Sequence, residues 1–218
     1  MKEVTIKTKE SSIKAFFSNP PLSRGLVIFI HGKGESRFSE REQFMARTLE
    51  KGGIGYLLFD LLSDEEERED METEKYSKNL PFLTERVLAA TRWVKEQEEL
   101  KSLPLGYCGI GSGSAAALCA TAIEPSIKAL VLRGASSEPT ESVLENIHCP
   151  TLLLVGGRDD QNRPLNEKIF EILTCKKDLK LIGGVAGKFE EMGAIEIVSL
   201  RAYNWFVVHF GIPGLGRD

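Results

Sequence analysis

The chain is poor in the residues on which metal and redox sites depend. Its 218 residues include three histidines and four cysteines, the latter at 108, 119, 149 and 175. No two cysteines form a CxxC pair, so neither a zinc site nor a disulfide framework is suggested. They read as small buried hydrophobes of a reducing, cytoplasmic compartment. No metal and no cofactor is expected. No apolar run approaches the roughly 18 residues of a membrane span, and Met1-Lys2-Glu3-Val4-Thr5 lacks the apolar stretch of a signal peptide. Positive charge is not in excess either: 28 Lys and Arg face 32 Asp and Glu, a net charge of −4. That balance argues against a nucleic-acid binder that neutralises phosphates.

What is present is ordinary for a globular protein: 42% hydrophobic and 28% charged residues. The length suits a single domain spanning 1–218. The acidity is concentrated. Asp64 to Glu74 holds eight acids and one base, Arg68, a segment charge of −7. It reads as a solvated loop or short helix on a rim, with a lid or a surface for a basic partner as the alternative.

Two short strands, Val4 to Lys9 and Ile13 to Phe17, precede a continuous apolar run at Leu26-Val27-Ile28-Phe29-Ile30. Such a run is expected of a strand buried on both faces. Similar runs recur at Ile54 to Asp60, Leu105 to Gly109, Ala129 to Arg133, Thr151 to Val155 and Leu179 to Ile182. Helical segments separate them: one capped by Ser39, one opened by Pro81, then Ser114 to Ile123, Ser142 to Ile147 and Pro164 to Leu173. An apolar helix closes the chain from Ala194 to His209. Alternating strands and helices imply a mostly parallel sheet covered on both faces, a three-layer α/β fold. Ligands of such sheets bind at the carboxyl ends of the strands.

Gly109-Ile110-Gly111-Ser112-Gly113 follows one of these strands and opens the Ala-rich helix. It fits the flanks of a G-x-S-x-G nucleophile elbow, with Gly111 where the nucleophile would stand. Gly111, Gly113 and Ala116 also fit a G-x-G-x-x-A phosphate turn, which would make this a nucleotide-binding protein. That turn usually follows the first strand of its fold, and an acid about 20 residues on is absent. His31-Gly32-Lys33-Gly34 has the form of a loop that donates a backbone N–H to an oxyanion hole. Asp159 stands after a strand, where the acid of a hydrolase triad would sit.

With these loops placed, the chain resembles the α/β-hydrolases of the dienelactone-hydrolase-like family from about Gly25 to Phe210. The resemblance rests on His31-Gly32-x-Gly34-x-Ser36-Arg37, Phe59-Asp60-Leu61-Leu62 and Gly109-x-x-x-Gly113-x-Ala115-Ala116-Ala117-Leu118. It continues through Arg133-Gly134, Pro150 to Gly157 with Asp159, and Phe189-Glu190-Glu191-x-Gly193 before Trp205-Phe206. It implies an α/β-hydrolase-type sheet, a small ester or lactone as ligand, and a Ser-Asp-His triad. Of that triad only Asp159 is present: the serine position is Gly111 and the histidine position is Gly187.

Losing nucleophile and base together costs on the order of a million-fold in turnover. The expectation is therefore a pocket-bearing protein without classical hydrolysis. The amides of Lys33 and Ser112 are expected to form an oxyanion hole, and the two glycines to enlarge the cavity. An alternative is a site refitted, by nature or by an engineer, for lysine-centred chemistry on a carbonyl ligand. Lys33 and Lys188 are its candidate nucleophiles, though both also read as solvated rim residues. Ser112, Ser114 and Cys108 are weaker candidates; the serines read as helix caps and the cysteine as core. Arg133 reads either as an anion clamp or as a surface ion-pair partner. His31 belongs to the oxyanion loop, and neither His148 nor His209 is placed as a triad base.

Overall fold

The computed structural model describes residues 1–212. Eight strands form one sheet: β1 (Lys2–Lys7), β2 (Ser12–Ser18), β3 (Leu26–Ile30), β4 (Gly55–Phe59), β5 (Leu105–Ile110), β6 (Ile127–Arg133), β7 (Thr151–Gly156) and β8 (Lys177–Ile182). Their order is β1-β2-β4-β3-β5-β6-β7-β8. β2 pairs antiparallel with both β1 and β4, and every other pairing is parallel.

Side chains alternate across the sheet, and this alternation divides the core in two. Ile28, Leu57, Tyr107, Leu130 and Leu153 point to one layer. That layer is completed by α3 (Leu80–Glu96), α4 (Gly113–Ile123), α5 (Glu141–Glu145) and α6 (Arg163–Ile172). Val27, Phe29, Tyr56, Cys108 and Val131 point to the other, against α1 (Glu40–Lys51) and α7 (Ala194–His209). The architecture is thus a three-layer α/β-hydrolase-type fold. Among the described residues no helix is long and apolar enough to cross a membrane.

Of the two readings of the acidic segment, loop or short helix, the structure shows the helix. The segment forms the ten-residue α2 (Asp64–Thr73). Ser63 caps it reciprocally with Glu66: the Ser63 hydroxyl accepts from the Glu66 amide, and the Glu66 carboxylate accepts from the Ser63 amide. Four acids in its first turn suit the positive end of the helix dipole. Its inner face is charged, and pairing makes that tolerable: buried Glu66 is ion-paired with buried Arg86 of α3. Arg86 also bonds Thr8 and Ser11 in the β1–β2 turn.

The winding places the site. From β3 the chain steps to one side for β4, then crosses to the other side for β5. The loops after β3 and β5 therefore flank the point where the winding reverses, the position at which doubly wound sheets bind ligands.

Candidate active site

The elbow between β5 and α4 is built. Gly111 has φ +52°, the left-handed region a nucleophile elbow imposes on its central residue. Its carbonyl accepts from the amides of Ser114 and Ser136, both at 3.2 Å, and its amide donates to the Arg133 carbonyl at 3.1 Å. A Cβ at 111 would meet nothing nearer than Ser136 Oγ at 3.9 Å. Gly113 differs: a Cβ there would lie 2.6 Å from the Ile30 carbonyl oxygen and closer still to that of His31. Its lack of a side chain lets α4 start against the end of β3. Close packing thus accounts for Gly113 without a bound phosphate.

Asp159 and Gly187 face each other. The Asp159 carboxylate is buried, and its Oδ1 accepts from the Asn162 amide at 3.2 Å and from Asn162 Nδ2 at 3.1 Å. A Cβ on Gly187 would lie 2.5 Å from Asp159 Oδ2. The loop carrying Gly187 is held by Arg158 N donating to Val185 O at 2.9 Å and Ala186 N donating to Glu191 Oε1 at 2.8 Å. Phe189, itself at φ +54°, packs against Gly134.

The oxyanion loop departs from expectation. The Lys33 amide donates to Ser112 Oγ at 2.8 Å. Ser112 occupies the cap position of α4 yet makes no side-chain cap bond, because its hydroxyl serves Lys33 instead. The hydroxyl of Ser114 is buried and unbonded. His31 joins the loop to the end of β4: its Nε2 accepts from the Leu61 amide at 3.1 Å. The proton therefore sits on Nδ1, which donates to the Gly32 carbonyl at 2.9 Å. Buried Arg37 pairs with Asp60, whose Oδ1 also accepts from the Arg37 amide at 2.8 Å. These contacts give His31, Arg37 and Asp60 structural work.

The remaining candidates are spread out. The Lys33 ammonium is half-exposed and paired with Glu74, which Lys78 shares. The two lysines hold the Glu74 carboxyl down at about 2. Lys188 is exposed. Arg133 is neither a pocket clamp nor a surface partner: it is 3% exposed, paired with fully buried Glu42 of α1, and lies over the Phe189 ring at 5.8 Å. Burial pushes the Cys108 thiol up to about 12, which leaves it un-ionised and inert. His148 is exposed, and the His209 ring meets Trp205 edge-on, with centroids 4.3 Å apart.

A cavity of about 320 Å³ opens beside the oxyanion loop. His31, Lys33 and Ser112 line one side, and Glu67, Asp70 and Met71 of α2 line the other. Gly111, Asp159 and Gly187 do not line it, so the two glycines do not enlarge it as expected. The sequence left the α2 segment open between a solvated loop and a short helix on a rim; that its buried acids wall a cavity is the part sequence reasoning missed. The Ser63-x-x-Glu66 capping pattern is the signal that would have placed a helix there.

No family model matches the chain. A dienelactone hydrolase from Anabaena variabilis superposes with a TM-score of 0.90 at 34% identity, covering 95% of this chain and 97% of that one. Est1E from Butyrivibrio proteoclasticus superposes with a TM-score of 0.79 at 15% identity, over 96% of this chain and 99% of that one, which is a likeness of fold alone. A Mycobacterium tuberculosis protein named "Putative phosphoribosyl transferase" is 36% identical over 214 residues, 97% of this chain. This chain spans 47% of that relative's length.

Proposed function

This chain belongs to the dienelactone hydrolase family of α/β-hydrolases, and on that premise we propose that it binds a small ester, lactone or carbonyl compound without hydrolysing it by a Ser-Asp-His route. The observation that carries this reading is a formed elbow with Gly111 at its tip, together with a buried Asp159 carboxylate that faces Gly187. A hydrolase of this type needs a hydroxyl at the first position and an imidazole at the second, and neither is there. An oxyanion hole and binding alone sustain roughly 10³- to 10⁴-fold catalysis over water in a triad-less hydrolase. Here even that is reduced, because the Lys33 amide is already bonded to Ser112 Oγ.

The lysine alternative draws less support. A Schiff-base lysine is activated by an apolar pocket or a neighbouring cation, whereas Lys33 is paired with Glu74 and Lys188 is exposed. The transferase name of the mycobacterial relative describes a chain about twice as long. The stretch it shares with this chain corresponds here to a hydrolase-type fold, so we do not extend phosphoribosyl transfer to this chain.

The test is aryl-ester hydrolysis by the chain as it stands beside Gly111→Ser/Gly187→His. The chain is expected at buffer background and the double variant well above it. Equal rates well above background would overturn the proposal and point to another nucleophile.

A further inference from the structure

The cavity has a charge character that the function above does not use. Its walls are largely apolar, through Leu61, Leu62, Met71 and Leu83. Four carboxylates also line it, from Glu35, Asp60, Glu67 and Asp70, against one ammonium, that of Lys33. Most of these charges are spoken for. Asp60 is paired with Arg37, Glu35 with Arg41, and Lys33 with Glu74. Glu67 and Asp70, one turn apart on α2, have no such cation among the described residues.

Asp70 is the unusual one. It is only 5% exposed, yet it lines the cavity. Its Oδ1 accepts from the amides of Tyr76 at 2.7 Å and Ser77 at 2.8 Å, which fixes the carboxylate in place. Burial works to raise its pKa, but the Ser77 and Tyr76 hydrogen bonds and the charge of Lys33 hold it below the usual carboxylate range. Oδ2 takes neither of these amides, and the Ser77 side chain lies beside the carboxylate at the same wall of the cavity. The two amides make the charge tolerable at this depth and hold the carboxylate at the cavity wall.

We propose that this cavity recognises an organic cation: a ligand with an ammonium group seated on Asp70 Oδ2 and an apolar body against Leu62, Met71 and Leu83, with carboxylate- and phosphate-bearing ligands turned away. The proposal rests on the reading of this cavity as the ligand site and narrows its ligand class. Glu67 at the mouth adds a second negative charge along the approach. The Ser77 hydroxyl accepts from, or donates to, a polar group beside the cation.

The test needs no turnover. Calorimetric titration of the full chain with benzyltrimethylammonium, benzyl alcohol and phenylacetate compares cation, neutral compound and anion on one aromatic body. The cation is expected to bind one-to-one and at least tenfold more tightly than either of the others. Asp70→Asn, whose side-chain oxygen can still accept from Tyr76 and Ser77, should weaken it by about ten- to a hundredfold. Ser77→Leu, which crowds the cavity without changing charge, should abolish it. Phenylacetate binding as tightly as the cation would overturn the proposal. So would retained cation binding in both variants, which would place the cation on the acidic outer face of α2. No binding by any probe would overturn it too, whereas ester hydrolysis by the unmodified chain would overturn only the functional reading above.

Discussion

Replacing Glu42 by leucine is the sharpest test of how the loop carrying Gly187 is supported. Glu42 and Arg133 are 1% and 3% exposed in their side chains and form an ion pair between α1 and the end of β6. Arg133 in turn lies beneath Phe189, two residues beyond Gly187. Glu42 Oε2 has no partner, so the pair is imperfectly compensated for its burial. Glu42→Leu strands the guanidinium and should cost about 3–5 kcal/mol. At roughly 2–4 °C per kcal/mol for a chain of this size, the melting temperature should fall by about 6–20 °C. Glu42→Leu/Arg133→Met removes both charges and should recover most of that loss, since an apolar pair of similar volume replaces a desolvated one. Urea unfolding with unchanged m-values measures all three variants. A single-variant cost below about 1 kcal/mol would refute the claim that the guanidinium depends on Glu42. A double variant less stable than Glu42→Leu would refute the claim that desolvation dominates the pair.

Three further outcomes follow from the site. Gly113→Ala should cost about 3 kcal/mol through overlap with the Ile30 and His31 carbonyls, whereas Gly34→Ala, at φ +76° with open space around it, should cost only about 1–2 kcal/mol; equal melting temperatures would remove the close-packing account of the elbow. Ser112→Ala in the Gly111→Ser/Gly187→His background frees the Lys33 amide and should raise ester turnover about fivefold, the worth of one competing hydrogen bond; a fall would mean that Ser112 supports the hole rather than filling it. Carbon-detected titration of Glu74 should give a midpoint of about 2, held down by hydrogen bonds and charge from Lys33 and Lys78. Because the folded-state value is depressed, the tie between α2 and the oxyanion loop should persist below pH 4.5 and be lost only as pH falls through that midpoint; a midpoint near 4.5 would show that the tie is not formed.

The sheet was legible because its signal is local. Leu26–Ile30 is apolar at every position, and a strand buried on both faces leaves no other pattern. The closing helix, Ala194–His209, was bounded correctly by its apolar run. α2 was not legible by periodicity, since its buried residues are Glu66 and Asp70, and an apolar stripe is the thing such a search looks for. Those acids become tolerable only through Arg86, 20 residues on from Glu66, and through the amides of Tyr76 and Ser77. Ser112 shows the same limit. A serine at a helix start reads as a cap, but its hydroxyl finds a partner 79 residues away in Lys33. Arg133 finds its partner 91 residues away in Glu42.

Gly111 and Gly187 stand in different surroundings. At Gly111 the backbone keeps the left-handed turn, and the space a side chain would enter is open to 3.9 Å. A serine would meet only the conformational cost that nucleophiles bear in such elbows, about 1–2 kcal/mol. At Gly187 the space is taken. The Asp159 carboxylate lies within 2.5 Å of where a Cβ would be, and Asn162 holds it there. A histidine at 187 must first displace that carboxylate from Asn162 before it can be oriented by it. The turn at Gly111 therefore has room for a side chain, whereas at Gly187 the Asp159 carboxylate fills the place a side chain would take. Neither glycine lines the cavity enclosed by the loop after β3 and by α2, so substitutions at 111 and 187 are expected to leave binding there unaltered.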